Sequence, residues 1–168
     1  MENLRFLNEA HVRGIRGEYG TPAYVYDEET LRAYAKALLA TPNAYGLTAR
    51  FAMKALPCTA VVQIFSGMGL HVDCSSGYEA ERALRAGVSP SHIQITAQQL
   101  PHNLRELVER GVLFTACSLH QFDAYGNLFP GTEVCVRITP GLGSGHSNRT
   151  NVGGPAASFG IWHEHLDE

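Results

Sequence analysis

From residue 46 onward the chain repeats one pattern: a short apolar run rich in β-branched residues, a polar break, an amphipathic stretch of helical period, then a glycine. Strand-like runs fall at Ala49–Met53, Leu70–Asp73, Ile93–Thr96, Val112–Ala116 and Val134–Ile138, and helical spacing falls between them at Thr59–Ser66, Tyr78–Ala86, Asn103–Arg110 and Leu119–Leu128. Strands that alternate with helices need crossover connections, so the pattern predicts a parallel sheet. An earlier helix is predicted over Asp27–Ala40, where Leu31, Tyr34, Ala35, Leu38 and Leu39 share a face and Thr41-Pro42-Asn43 ends it. Ala23–Tyr26 is β-like but precedes the repeat. The chain is thus read as an N-terminal segment with a strand, residues 1–26, and a barrel portion, residues 27–168.

The punctuation agrees. Gly69, Gly87 and Gly111 each fall just past a helical stretch and are followed at once by Leu or Val, as a left-handed helix stop requires. Ser76-x-x-Glu79 and Ser118-x-x-Gln121 have the form of capping boxes, in which hydroxyl and acid or amide satisfy orphan amides at a helix start. Five strand–helix units in series, the fifth helix only beginning at Trp162–Glu168, favour an α/β fold of the (β/α)8 barrel type over a doubly wound sheet, incomplete at this length. An open half-barrel would leave a strand edge unpaired and apolar inner faces exposed, which favours association.

Composition narrows the function classes. The 168 residues are 45% hydrophobic and 17% charged, ordinary for a globular domain, so disorder is not expected. A net charge of −3 without any run of Lys or Arg argues against a nucleic-acid backbone or an anionic membrane as partner. No apolar stretch nears the roughly 20 residues that span a bilayer, and Met1–Arg5 lacks the order of a secretory signal, so a cytoplasmic protein is expected. Cys58, Cys74, Cys117 and Cys135 are widely spaced and form no C-x-x-C pair, which fits reduced thiols rather than disulfides or a metal site. Asn148-Arg149-Thr150 has the form of a glycosylation acceptor, without consequence in a chain that is not exported.

Candidate chemistry gathers at the predicted strand ends. Of the two lysines, Lys36 lies in a polar helical setting, whereas Lys54 ends the run Phe51-Ala52-Met53. An amine at the C-terminal end of a barrel strand sits where this architecture keeps its catalytic groups. Partial desolvation there would lower its pKa and make it a Schiff-base nucleophile; the alternative is a lysine snorkelling from a strand end. Asp73 ends the next strand, and Glu79 opens the helix after it. Both carboxylates are placed to pair with Lys54, while Glu79 is equally a capping residue and Asp73 equally an acid favoured by a helix dipole. Arg137 lies late in Val134–Ile138, either pointing inward toward a ligand or outward to solvent. The stretch from Thr139 to Pro155 is too long and glycine-rich for a plain connector, and its His146 either stacks on an aromatic group or stands in solvent.

Taken in order, several stretches resemble the fold-type III pyridoxal-phosphate decarboxylases, a group that includes diaminopimelate, ornithine and carboxynorspermidine decarboxylases. They are Thr21–Asp27, Phe51-Ala52-Met53-Lys54-Ala55, Val72-Asp73-Cys74-Ser75-Ser76-Gly77-Tyr78-Glu79, Ala86-Gly87-Val88, Val136-Arg137-Ile138-Thr139-Pro140-Gly141 and Ser158-Phe159-Gly160-Ile161. The resemblance implies a barrel of the alanine racemase type with pyridoxal 5'-phosphate as cofactor, and Lys54 as the residue joined to it. It implies further that Asp73 and Glu79 lie near that lysine, Arg137 near the cofactor ring, and His146 in a glycine-rich stretch near the cofactor. It points to decarboxylation of an amino acid, with meso-diaminopimelate to L-lysine preferred over ornithine or carboxynorspermidine, in a homodimer. Thr139 stands where the group usually has asparagine, and Ser158 where it usually has lysine. The group's phosphate-binding loop and C-terminal β-domain have no counterpart before residue 168. The rival readings are a racemase or pyridoxal-phosphate carrier of the same barrel class, and a catalytically inert fragment that at most binds a partner through its open edge.

Overall fold

The computed structural model describes residues 6–143, 151–155, 157 and 159–167, which divide into two units at Thr41 and Pro42. His146, the triplet Asn148–Thr150 and Ser158 lie outside the described residues. In the first unit, α1 (Glu9–Tyr19) starts at Asn8, whose side chain accepts the His11 N–H. The sequence pattern misses this helix because its apolar positions are few, Val12, Ile15 and Tyr19, and it buries no residue. The signal available is the Asn8 cap followed by the Glu9–Arg13 pair four residues apart. Helix α2 (Glu28–Leu39) lies where expected, entered through Asp27 and closed at Ala40. Ala23–Tyr26, expected as β, has no regular secondary structure, since an extended segment becomes a strand only beside a ladder partner.

The second unit alternates β1 (Arg50–Ala52), α3 (Thr59–Gly67), β2 (His71–Cys74), α4 (Gly77–Arg85), β3 (Ile93–Thr96), α5 (Leu104–Glu109), β4 (Leu113–Ala116), α6 (Leu119–Leu128) and β5 (Cys135–Val136). The five strands form one sheet in chain order, every neighbouring pair parallel. This is the sequential topology of a (β/α) barrel rather than the reversed order of a doubly wound sheet. Three helix stops are built alike. At Gly69, Gly87 and Gly111, φ is +96°, +89° and +98°, and the following Leu70, Val88 and Val112 donate back to Phe65, Ala83 and Leu107 while burying their own side chains. One short device thus ends a helix, turns the chain and starts the next buried segment.

The two faces of the sheet differ. Val72, Cys74, Ile93, Ile95, Phe114 and Ala116 are buried with Val62, Ala80, Ala83, Leu104, Leu107 and Tyr125 in one core, each large side chain contributing about 1.5–3 kcal/mol. The alternate residues, His71, Asp73, Gln94, Thr96, Leu113 and Thr115, point the other way. Gln94 donates to the Thr115 hydroxyl at 2.6 Å, and the Thr96 hydroxyl donates to Asp73 Oδ1 at 2.7 Å. His71 stacks on His92 with ring centroids 3.9 Å apart, and burial, together with the charges of His92 and Arg50, pushes its imidazole below the ordinary histidine range. The expectation of an apolar inner face is therefore wrong. Apart from Ala52 and Leu113, the described strand residues turned away from the helices carry mostly polar side chains, two pairs of which are hydrogen-bonded to each other.

Two further expectations are corrected at the end of the chain. Val134–Ile138 is not one strand: Arg137 N–H bonds to Ala116 O, keeping β5 in the main sheet, but Arg137 O accepts from Ile161 N–H. Beyond it, β6 (Ile138–Thr139) pairs in parallel with β7 (Ile161–Trp162) in a second small sheet. The residues expected to begin a fifth helix, Trp162–Glu168, supply the end of β7 and a single 3-10 turn at His163–His165. A pocket of about 460 Å3 lined by Leu119, Phe122, Val136, Ile161 and Leu166 opens beside these strands. Among the described residues, the outer edges of β1 and β5 have no strand partner.

Candidate active site

Lys54 is set by the residue before it. Met53 is fully buried, with its sulfur 3.9 Å from Cys74 Sγ of β2, and it anchors the 3-10 turn Met53–Ala55 that follows β1. The turn lifts Lys54 off the strand end, and its side chain opens onto a cavity of about 640 Å3. Ser75, Ser76, Gly77 and Tyr78 at the start of α4, Gln98–His102 after β3, and Phe159 make up the rest of the lining. All but Phe159 follow the C-terminal ends of β1, β2 and β3, the end at which barrel enzymes assemble their chemistry.

The expected desolvation of Lys54 is absent. Its side chain is exposed. Nor do the two acids pair with it: among the described residues, the ion pairs formed are surface pairs four residues apart on helices. Asp73 sits beside Ala52 in the strand register, but its Oδ1 is taken by Thr96. Ser76 Oγ accepts from Glu79 N–H at 3.2 Å, the hydroxyl half of the capping box, while Glu79 Oε2 accepts from Ser75 N–H at 2.7 Å, one residue before the cap, so the carboxylate serves the helix entry. The second box matches it, Gln121 Oε1 accepting from Cys117 N–H and Ser118 Oγ from Gln121 N–H.

Arg137 does not line the cavity. Its guanidinium carbon lies 4.2 Å from the centre of the Phe159 ring, and its Nη2 reaches Val152 O at 3.5 Å. Sequence reasoning does not single out Phe159, Tyr78, Gln98 or His102 as site residues. Phe159 is visible there only as part of the Phe159-Gly160-Ile161 stretch. Gln98 and His102 follow a strand of a barrel at its functional end, and that position is the available signal. Tyr78 and His102 stand at the rim with ring centroids 5.5 Å apart.

Thiols behind the site are shielded. Burial pushes the Cys74 thiol far above its ordinary range, with Glu79 and Asp73 adding to the effect, and burial also raises Cys117. Cys135 is exposed. Iodoacetamide at mildly alkaline pH is therefore expected to modify Cys135 readily and to leave Cys74 untouched until denaturant is added. Peptide mapping that finds Cys74 alkylated in the folded chain would contradict the packing described above.

Residues 28–168 match the family described as pyridoxal-dependent decarboxylase, pyridoxal binding domain. The chain belongs to this family. The protein is 40% identical over 167 residues to diaminopimelate decarboxylase of Streptomyces coelicolor, a match covering 96% of this chain and 37% of that one. It is 34% identical over 165 residues to the Escherichia coli K12 diaminopimelate decarboxylase, covering 95% and 38%. A crystal structure of diaminopimelate decarboxylase superimposes with a TM-score of 0.82 at 33% identity over 94% of this chain and 38% of that one. The chain thus spans a little over a third of the length of the curated relatives it matches.

As a pyridoxal-dependent decarboxylase domain, this one has residues that fit part of its cofactor's needs. A lysine amine opens onto free space large enough for an aromatic ring, and that space is bounded by the Ser75 and Ser76 residues and by the Phe159 ring. No cluster of acidic, histidine or cysteine side chains able to hold a metal ion is found among the described residues, and no helix there is long and apolar enough to cross a membrane.

Proposed function

We propose that the chain is the cofactor-attaching part of a diaminopimelate decarboxylase, acting on meso-diaminopimelate to yield L-lysine in lysine biosynthesis. The observation that carries this reading is the Lys54 amine facing the cavity in a chain 34–40% identical to enzymes of that name. Lys54 supplies the amine that holds the cofactor through its aldehyde. Bound there, pyridoxal phosphate provides an electron sink for the bond that breaks. Met53 fixes the height of the amine above β1, and the Glu79 capping box fixes the loop that carries Ser75 and Ser76 beside it. Asp73, held by Thr96, lies beside Ala52 at the strand end that carries Lys54. Arg137 stands outside the cavity against Phe159, and His146 is added on the family resemblance alone. Four free cysteines fit a cytoplasmic setting, and a homodimer is proposed on the same resemblance.

Incubation with pyridoxal phosphate, borohydride reduction and peptide mapping are expected to place the reduced label on Lys54. Label confined to Lys36 would overturn the assignment. A second reading, that this chain alone does not turn over substrate, is favoured by the exposure of Lys54 and, among the described residues, by the unpartnered edges of β1 and β5.

A further inference from the structure

Phe159 stands out among the cavity's lining residues because it comes from far along the chain and is held from several directions. Its carbonyl oxygen accepts the Thr139 hydroxyl at 2.6 Å. The next residue, Gly160, donates its N–H to Cys117 O at 3.1 Å, and Ile161 donates to Arg137 O at 2.7 Å. Gly160 has φ +112°, and a Cβ there would stand 2.6 Å from Thr139 Oγ1 and 3.2 Å from Arg137 O. The backbone that follows the ring is therefore pinned to the segments beside β4 and β6, and Gly160 takes a conformation only glycine adopts comfortably. Over the ring lies the Arg137 guanidinium, within the range of a strong cation–π contact.

We propose that Arg137 is a positioning residue that acts on the Lys54 cavity through Phe159. The guanidinium holds the aromatic ring as the apolar wall against which a bound planar cofactor rests. This inference rests on the function proposed above. It also accounts for Thr139, the residue that departs from the group's usual asparagine, because the threonine hydroxyl carries the Phe159 carbonyl. Two roles are thereby separated. Phe159 touches the cofactor space, whereas Arg137 shapes that space without entering it. A ring free to swing would either fill part of the cavity or leave one side of the ligand to water. Its restraint should therefore appear as ligand affinity before it appears as anything else.

The test is a double-mutant cycle in the full chain, read as the dissociation constant of pyridoxal phosphate from its absorbance change, with urea unfolding as a control for folding. Arg137→Gln and Phe159→Leu are each expected to weaken binding about fivefold, and the double variant by about the same factor, because removing the ring removes the path through which the arginine acts. Phe159→Tyr, which keeps the aromatic face, is expected to stay within about twofold of the parent. Losses that multiply to about twenty-five-fold in the double variant would show two independent contacts and overturn the relay, as would unchanged affinity in Arg137→Gln. Lys54→Ala in parallel keeps the two propositions apart. If it binds as tightly as the parent, the attachment site itself is wrong; if it binds weakly while the other losses multiply, only the route through Phe159 fails.

Discussion

Replacing Gln121 by leucine is expected to lower the free energy of unfolding by about 3–5 kcal/mol, a large share of the stability of a chain this size. The side chain is 1% exposed and all of its polar capacity is in use. Its oxygen accepts the Cys117 N–H at 2.7 Å, and its nitrogen donates at 3.0 Å to both Ala97 O and Gln98 O. Leucine fills nearly the same volume but orphans the Cys117 N–H and the Ala97 carbonyl in a dry setting, each costing about 1–3 kcal/mol before any relaxation, and removes a third bond, to Gln98 O, at its part-buried edge. The loss should extend beyond α6, because Gln121 ties the end of β4 to the loop after β3, and that loop supplies Gln98 to the Lys54 cavity. Urea unfolding followed by circular dichroism measures it. A change below about 1 kcal/mol would mean that water reaches these groups and that the site is less closed than described.

Gly160→Ala should be the most damaging single-methyl change near the cavity, at about 2–4 kcal/mol of local destabilisation. The positive φ alone costs an L-residue about 1–2 kcal/mol. The added carbon would also meet Thr139 Oγ1 at 2.6 Å, so the hydroxyl must move and surrender its bond to Phe159 O. The consequence is spatially confined. Hydrogen exchange should accelerate at Ile161 N–H and Gly160 N–H, while the amides of β2 and β3 stay protected. Uniform acceleration throughout the sheet would indicate that the β6–β7 pair is part of the main cooperative unit rather than an appendage to it.

The sheet and most helices were legible because their signals are local. The glycine stops at 69, 87 and 111, the two capping boxes and the alternation in Ile93–Thr96 depend only on residues within a few positions of one another. What escaped depends on distant partners. Arg137 gives its N–H to one sheet and its carbonyl to another, and nothing between Val134 and Ile138 announces that the strand must divide there. Likewise Lys54 was identifiable as the candidate amine from the run that precedes it, but its exposure depends on how distant segments pack around the strand end. The capping role of Glu79 was one of two readings left open by the sequence. The structure puts the carboxylate on the Ser75 N–H at the helix entry. α1 was invisible for the opposite reason: its local signals exist, yet without a buried stripe they do not rise above those of a polar loop.

The polarity of the concave wall alters what an incompletely closed barrel must endure. Water can lie against Gln94, Thr96 and the imidazole pair without ordering itself around oil, so the greasy layer that drives collapse is already sealed between sheet and helices. Adhesion between copies would then start along the strand rims and the small pocket near Phe122 and Leu166, leaving the hollow itself hydrated and open to solutes.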